Sequence, residues 1–434
     1  MPWSPGFGRL LFAIPWQGAT LGGMFWLVAC TTTAIDLGGP PPGDSAAPGP
    51  VALERVPGDT AWAEDTAEPE ALPGLYDDPV RIWQFALELD GDAWDQLRRD
   101  GRDYVPATLQ WEGRQWPVQV HIKGSSSWQD IDQKPSLVVD VNRDDPDQEL
   151  FGVKKFYLQN ECYDPSHMSS ALSYAFYREW GYPASRTAFA QLQVNGRDYG
   201  FYDVMEPHND DFLQAWFAEP DGNLYENRDA YCDVTDLECM EVEEDDEGSH
   251  DAFERLGDAA RARGASWRPA VEPLLSWDRF IDALALEITI AHWDSYSYDL
   301  SNYQVYHEPV ADDWTLLTQS MDLDYGFRPW SYPDCGQYGM DIDKYTMGML
   351  ASSCHLDSTC KAELVQRVSE YADALEAADG AARVRELDAV IGDAVKADPR
   401  RYYADSEYVE HVACLQTFFD ARPGQLRAWV AENR

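Results

Sequence analysis

Four side chains that carry hard oxygen atoms stand out in the C-terminal half of the sequence. Asp294 and Asn302 come directly after an apolar run that predicts a buried helix, so we expect them on a loop. Asp322 and Asp324 follow further along the chain. Carboxylate oxygens are ligands that Mg²⁺ prefers, and phosphoryl transfer needs metal ions on the phosphate oxygens and an acceptor held in line. These residues therefore favour a metal-dependent phosphoryl-transfer site.

A second group of residues could bind phosphate. Lys123 opens a Gly-Ser-Ser-Ser turn, in which small residues let backbone N–H groups approach an anion and the hydroxyls of Ser125 and Ser126 add donors. Lys134 is a further phosphate-pairing candidate, and Glu206 is the acid expected to orient one of the two lysines. Taken singly, each feature has an ordinary explanation: a turn, a surface lysine or a helix cap.

The N-terminal half has the pattern of a sheet. In one run Val118, Val120 and Ile122 share a face and Lys123 falls on the other, and Asn195-Gly196 predicts a hairpin turn. The predicted strands are residues 80–89, 105–109, 117–122, 136–141, 155–158, 189–194 and 200–205, with helices at 92–99 and 169–180.

The C-terminal half changes to helical periodicity. The predicted helices are residues 211–217, 253–263, 277–292, 361–377, 381–395 and 408–419. A strand-rich N-lobe over residues 76–207 and a helical C-lobe over residues 208–434 predict an α+β fold with two lobes. A cleft between such lobes is a natural place for a nucleotide.

The first 30 residues have the pattern of a lipoprotein signal peptide. Arg9 precedes an apolar stretch that ends in Leu-Val-Ala-Cys, with small residues just before Cys30, whose thiol would take the lipid. An ordinary signal peptide or a short membrane anchor is the alternative. Residues 31–75 are rich in Pro, Gly, Ala and acidic residues and predict a disordered tether. The chain is therefore expected to be exported and lipid-anchored at the cell envelope, as on the outer membrane or cell surface.

Charge and cysteine content narrow the class of protein further. The formal net charge of −44 argues against nucleic-acid binding, which depends on Lys and Arg. Outside the cytoplasm the cysteines should tend to pair, and Cys232 with Cys239 and Cys354 with Cys360 are close enough to close small loops. Beyond Cys30 seven cysteines remain, so one thiol is free or one pairing needs revision. The acidic run 233–247 fits a solvated loop, with Ca²⁺ binding as an alternative.

The order and spacing of several segments resemble the CotH (spore coat protein H) kinase family. The segments are Lys123–Ser127 with Lys134–Leu137, Gly200–Glu206 with Asp210–Leu213, His292–Asp294 with Asn302–Tyr306, and Met321–Phe327. The resemblance runs from about Tyr76 to about Leu375.

This resemblance implies an atypical protein-kinase-like fold with ATP and Mg²⁺, or Mn²⁺, as cofactors and Ser or Thr of a secreted or surface protein as acceptor. Asp294 then matches the catalytic-loop Asp of kinases and Asn302 the metal-binding Asn. Asp324-Tyr325-Gly326 resembles the kinase Asp-Phe-Gly motif, so Asp324 is preferred to Asp322 as the metal ligand. Lys123 stands where the family usually has Arg, which keeps the charge but loses the guanidinium fork.

A catalytically inactive protein is the alternative function. A kinase-like fold could serve as a surface scaffold or a calcium-binding assembly protein, because ATP is scarce outside the cytoplasm. The replacement of Arg by Lys123 and the large negative charge also favour this inactive alternative.

Overall fold

Seven strands of the N-terminal half form a closed barrel in the computed structural model, which describes residues 73–227, 231–244, 250–318 and 341–434. The strands are β1 (Ile82–Glu88), β2 (Val105–Trp111), β3 (Arg114–Lys123), β4 (Ser136–Asp140), β5 (Lys155–Gln159), β6 (Thr187–Val194) and β7 (Arg197–Met205). Their order is β1-β2-β3-β4-β5-β7-β6, and a parallel pairing of β1 with β6 closes the ring. Closure leaves no unpaired edge between these strands.

Alternation along each strand explains the barrel interior. On β3 the side chains of Val118, Val120 and Ile122 are buried inside, as their spacing predicts, while Lys123 is only half-buried. At the β6–β7 hairpin Asn195 and Gly196 have φ angles of 50° and 69°. This left-handed pair is the turn that Asn-Gly favours, because its twist matches that of the flanking strands.

The C-terminal half contains a second sheet that the sequence interpretation missed. Its strands are β8 (Asn223–Asn227), β9 (Met240–Glu244), β10 (Tyr303–Glu308) and β11 (Asp313–Thr318), in the antiparallel order β11-β10-β8-β9. The prediction of a purely helical second half is therefore wrong, although the α+β class is confirmed. Strands β10 and β11 are buried on nearly all positions, so they show no alternation that would mark them as strands.

Helices account for most of the remaining regular structure among the described residues. They are α1 (Gly91–Arg99), α2 (Ser169–Glu179), α3 (Asp210–Trp216), α4 (His250–Ala260), α5 (Trp267–Val271), α6 (Trp277–Thr289), α7 (Tyr296–Asp299), α8 (Met349–Leu356), α9 (Ser358–Ala377), α10 (Gly380–Ala397) and α11 (Asp405–Asn433). Helix α11 extends well past its predicted end and runs through Pro423. No helix among the described residues is both long and apolar enough to cross a bilayer.

Packing joins the barrel to the helices through one buried cluster. Phe189, Phe201 and Met205 on the barrel strands belong to the same cluster as apolar residues of α2, α6 and α9. A separate cluster fills the barrel interior. The predicted lobe boundaries and the kinase-like lobe arrangement stay predictions.

The two predicted small-loop disulfides are confirmed. Cys232 bonds to Cys239 and Cys354 bonds to Cys360. Cys162 and Cys414 are disulfide-bonded as well, and there is no free thiol among the cysteines of the described ranges. The predicted signal peptide, nearly all of the tether, Cys335, Asp322 and Asp324 lie outside the described residues.

Candidate active site

The loop after α6 brings Asp294 and Asn302 into direct contact. The Asn302 side-chain nitrogen donates to the Asp294 carboxylate over 2.7 Å and to the Asp294 carbonyl over 3.0 Å. Both residues are half-buried, and Asn302 comes directly before β10. The predicted loop position of this pair is therefore confirmed, whereas the roles of its two members stay predictions.

A third polar residue of this loop was missed by sequence reasoning. Burial, and next the negative charge of Asp294, raise the pKa of Asp299 to about 6. Burial, and next the charges of Asp299 and Asp294, raise the pKa of the exposed Tyr231. The backbone N–H of Tyr231 donates to the Leu300 carbonyl. Two carboxylates of which one raises the pKa of the other could share a cation or a proton. Their spacing of five residues across a short helix gave no recognisable motif.

The Lys123 turn is fixed by hydrogen bonds to its carbonyl oxygens. Tyr163 donates to the Ser126 carbonyl over 2.9 Å, and the buried Asn160 donates to the Ser127 carbonyl over 3.2 Å. Gly124 has a φ of 115°, and a Cβ there would meet the Ser127 hydroxyl at 2.6 Å. With the carbonyls held by the protein, the side chains of Ser125 and Ser126 are exposed to solvent.

The Lys123 turn and Lys134 share one support. The Asn160 side chain also donates to the Lys134 carbonyl over 2.9 Å, and the Tyr402 hydroxyl donates to that same carbonyl over 2.9 Å. The Lys123 amine lies 4.2 Å from the centre of the Tyr157 ring. The structure thus brings the backbone of the Lys123 turn and of Lys134 together, through an asparagine that no sequence pattern singled out.

The Lys134 amine, however, faces a carboxylate in the protein interior. Its nitrogen lies 2.8 Å from the Asp398 carboxylate, and the two side chains are 1% and 0% exposed. Burial lowers the pKa of Lys134, although Asp398 acts in the opposite direction. The adjoining cavity has a volume of about 10 Å³, which is room for about one water. In this structure Lys134 therefore does not face space for a phosphate.

Asp398 is held in place by the motif around Gly200. Its carboxylate accepts from the Phe201 N–H over 3.0 Å and from the Arg400 N–H over 2.6 Å. Gly200 has a φ of 87°, and a Cβ there would lie 1.9 Å from the Asp398 carboxylate. The glycine of this motif is therefore needed for the close approach of Asp398.

A chain of buried polar groups continues from the Lys134 pair. The His167 ring lies 2.7 Å from Asp203, and the His411 ring lies 3.0 Å from Asp164. Burial, and next the Lys134 charge, lower the pKa of His167 to about 3, while burial raises that of Asp203. Burial alone would raise the pKa of Asp164, but His411 and nearby donors hold it below its usual value.

Glu206 does not take the predicted place beside a lysine. Its carboxylate accepts from the Arg186 backbone N–H over 2.9 Å and from the Arg186 guanidinium over 2.5 and 3.0 Å. The two residues extend the ladder in which Thr187 lies opposite Met205. A buried carboxylate that is bound to arginine in this way holds the ends of β6 and β7 together. The interpretation of Glu206 as the acid that orients a lysine overlooked this contact.

The predicted metal ligands lie partly outside the described residues. The residues described by the structure contain no group of three or more His, Cys, Asp or Glu side chains that could hold a metal ion. In the acidic run Asp233 accepts from the Tyr296 hydroxyl and the Met349 N–H, so its carboxylate is engaged inside the protein. The ligand set at Asn302 would therefore need Asp324 or Asp322, which follow β11 in sequence.

Comparison with protein families gives a match over most of the chain. The sequence model of the CotH kinase protein family matches residues 120–426, which is most of the chain and includes Asp294 and Asn302. No curated protein matches the sequence. The resemblance carried by the four segments is thus confirmed, and the chain belongs to the CotH kinase family.

Proposed function

We propose that this chain transfers the γ-phosphoryl group of ATP to Ser or Thr of an exported or surface protein, with Mg²⁺ or Mn²⁺ as the metal. The observation that carries the proposal is the 2.7 Å hydrogen bond between Asn302 and Asp294, a kinase-like pair in a chain of the CotH kinase family. Membership of this family supports a kinase-like function.

In this proposal Asp294 orients the acceptor hydroxyl and receives its proton. A carboxylate has two oxygens with about four acceptor positions, so the bond from Asn302 does not exhaust its capacity. The Asn302 nitrogen donates to Asp294, which makes the amide oxygen of Asn302 the atom that would bind a cation. Bound Mg²⁺ would neutralise the charge on the phosphate oxygens, and Asn302 with Asp324 or Asp322 would hold it.

The barrel would bind the phosphates at the Lys123 turn. The turn is fixed from below by Asn160 and Tyr163, and it exposes the hydroxyls of Ser125 and Ser126. Lys134, which is buried against Asp398, would support this turn rather than contact ATP.

We extend the proposal to the location of the protein. Export, with lipid on Cys30 anchoring the chain to a membrane, is consistent with the two small-loop disulfides, because such bonds persist in oxidising compartments. Labelling with a radioactive fatty acid should mark the wild-type chain and not Cys30→Ala. Label on both chains would contradict the anchor.

Phosphoryl transfer can be tested directly. The purified chain is incubated with γ-labelled ATP, Mg²⁺ or Mn²⁺ and envelope proteins as acceptors. We expect labelled Ser or Thr with the wild type and a large loss with Asp294→Ala and Asp324→Ala. If the wild type transfers no label and neither substitution changes anything, the proposal is wrong.

A non-catalytic scaffold is the second candidate, and the burial of Lys134 favours it. Lys134 was predicted to bind phosphate, but it is 1% exposed and paired with Asp398, as expected if the protein does not bind nucleotide. Thermal unfolding distinguishes the two candidates, because a ligand that binds the folded state raises the melting temperature. A rise with ATP and Mg²⁺ supports the kinase, whereas a rise with Ca²⁺ alone supports a calcium-binding scaffold.

A further inference from the structure

Glu287, near the end of α6, makes contacts that no motif in the sequence predicts. We propose that Glu287 is a positioning residue that holds the Asp294 loop in the orientation required for phosphoryl transfer. This inference rests on the proposed function, because Glu287 would act on the reaction through Asp294.

Several donors converge on one oxygen of Glu287. The Ser295 hydroxyl donates to Oε2 over 3.0 Å, the Ser297 backbone N–H donates to it over 3.0 Å, and the Ser297 hydroxyl donates to the same atom. Ser295 directly follows Asp294 in sequence. The carboxylate therefore fixes the backbone immediately after the proposed catalytic residue.

A separate hydrogen bond ties the same turn to a more distant part of the chain. The Ser297 carbonyl accepts from the Met347 N–H over 2.8 Å, just before α8. Glu287 thus holds a turn from helix α6, and the Ser297 carbonyl of that turn also binds the segment just before α8. A site held by a regular helix is more exact than one held by loops alone.

A buried carboxylate such as that of Glu287 does not by itself stabilise the fold. It is 1% exposed, and burial raises its pKa to about 7. It also lies in the last turn of α6, where the helix dipole disfavours a negative charge. The buried Arg422 guanidinium donates to the Ile288 and Thr289 carbonyls at that helix end. A residue that breaks local rules and is compensated by its neighbours is typical of functional sites.

The backbone around Asp294 is strained in a way that requires such support. Ala291, Leu300 and Asn302 have φ angles of 59°, 54° and 44°. These values lie in the left-handed region, which residues other than glycine seldom adopt. Residues in sparsely populated backbone regions persist only where the surrounding structure determines them. Ser295 and Ser297, the partners of Glu287, lie between these strained positions.

The ionisable groups that act on Glu287 from other elements include three buried tyrosines. Tyr177 on α2, Tyr182 after it and Tyr345 before α8 each have a pKa that burial raises well above its usual value, and the Glu287 charge adds to the rise in all three. These phenols stay neutral. Hydrogen bonds from Ser297, from Ser295 and from the Tyr296 backbone are therefore the contacts that stabilise the carboxylate.

The test compares Glu287→Gln and Glu287→Met with the wild type in the full chain. We expect kcat to fall about 10-fold to 100-fold for Gln and further for Met, because displacing a catalytic group by about 1 Å lowers the rate by factors of that size. The KM for ATP should stay within about twofold, and ATP with Mg²⁺ should still raise the melting temperature. Gln retains an acceptor for the Ser297 N–H, so its partial rescue relative to Met is a signature of positioning.

A double substitution of Ser295→Ala and Ser297→Ala serves if the Glu287 variants do not fold, and it should lower kcat in the same range. Ser173→Ala is the matched control, because this buried serine donates to a helix carbonyl on α2; its kcat should equal that of the wild type.

The outcomes separate this inference from the proposed function. If the wild type is active, Asp294→Ala is not, and the Glu287 and serine variants keep wild-type kcat, the inference is wrong and the function stands. If kcat and ATP binding fall together in these variants, Glu287 has a general structural role and the inference is also wrong. If the wild type transfers no phosphate, both fall.

Discussion

The Lys134 region and the Asp294 loop both bury charge, but they do so in opposite ways. Lys134 lies between the barrel and residues 398–403, paired with Asp398 at 2.8 Å and closed off from solvent. Asp294 is half-buried on a loop with strained backbone, and Asp299 adds a second negative charge beside it. The first region neutralises its charges, whereas the second concentrates charge of one sign.

This contrast distinguishes a stabilising network from the candidate active site. A buried ion pair with each partner satisfied holds its surroundings rigid, and the loss of one partner leaves an uncompensated charge. Neighbouring carboxylates that face solvent raise each other's pKa and attract cations, which is the arrangement that functional sites use. Substitutions in the Lys134 region should therefore change stability, and those at the Asp294 loop should change activity.

The largest effect on stability is expected for Lys134→Ala. It leaves the Asp398 charge buried without its partner, so the free energy of unfolding should fall by about 3–5 kcal/mol. Arg255→Ala is the matched control: Arg255 pairs with Asp312 at 2.7 Å, but the two side chains are 52% and 42% exposed. An exposed pair contributes roughly 0–1 kcal/mol. Denaturant unfolding measures both, and equal losses would contradict the contrast.

Asp294→Ala should show the opposite behaviour. We expect kcat to fall about 10³-fold, since a positioned general base contributes roughly 10²–10⁴-fold, with little change in melting temperature. Asp278→Ala is the control, because Asp278 lies in the first turn of α6 with its side chain 93% exposed. A labelled-ATP assay with thermal unfolding decides the matter. A loss of stability without loss of transfer would reverse the assignment.

Glu287 predicts how stability changes with pH. Burial raises its pKa from 4.5 in the unfolded chain to about 7, so its contribution is fully present below pH 4.5 and is lost as the pH rises towards 7. Glu287→Gln does not titrate. Its melting temperature relative to the wild type should therefore be higher at pH 8 than at pH 5, whereas the offset of Ser173→Ala should be the same at both. An equal offset for Glu287→Gln would show that this carboxylate is not destabilised by burial.

The smallest expected effect concerns Lys123. Lys123→Ala should weaken ATP binding about 10-fold, because a hydrogen bond to a charged group contributes about 1.5–3 kcal/mol. Lys123→Arg should bind at least as well as the wild type, since its guanidinium fork matches phosphate. Calorimetric titration with ATP and Mg²⁺ measures both, with Lys344→Ala, an exposed lysine near Asp341, as the control. Unchanged binding by Lys123→Ala would remove the barrel turn from the site.

Local patterns predicted much of the architecture. Alternation on β3, the Asn195-Gly196 turn and the short spacings of the cysteines each fix a structure within a few residues. The position of Asp294 on a loop followed from the apolar run of α6, which has to end before a polar segment begins. These features depend on neighbours in sequence, which is why periodicity and turn chemistry reveal them.

Partners distant in sequence were decided by the tertiary structure alone. Asp398 pairs with Lys134 across 264 positions of the chain, and Glu206 pairs with Arg186 rather than with a lysine. The closure of β1 on β6 and the pairing of β10 with β8 are likewise long-range. The sequence by itself determined which residues can ionise, bind and turn. Only the fold decided which of them meet, because burial and charge pairing depend on every element packed around a site.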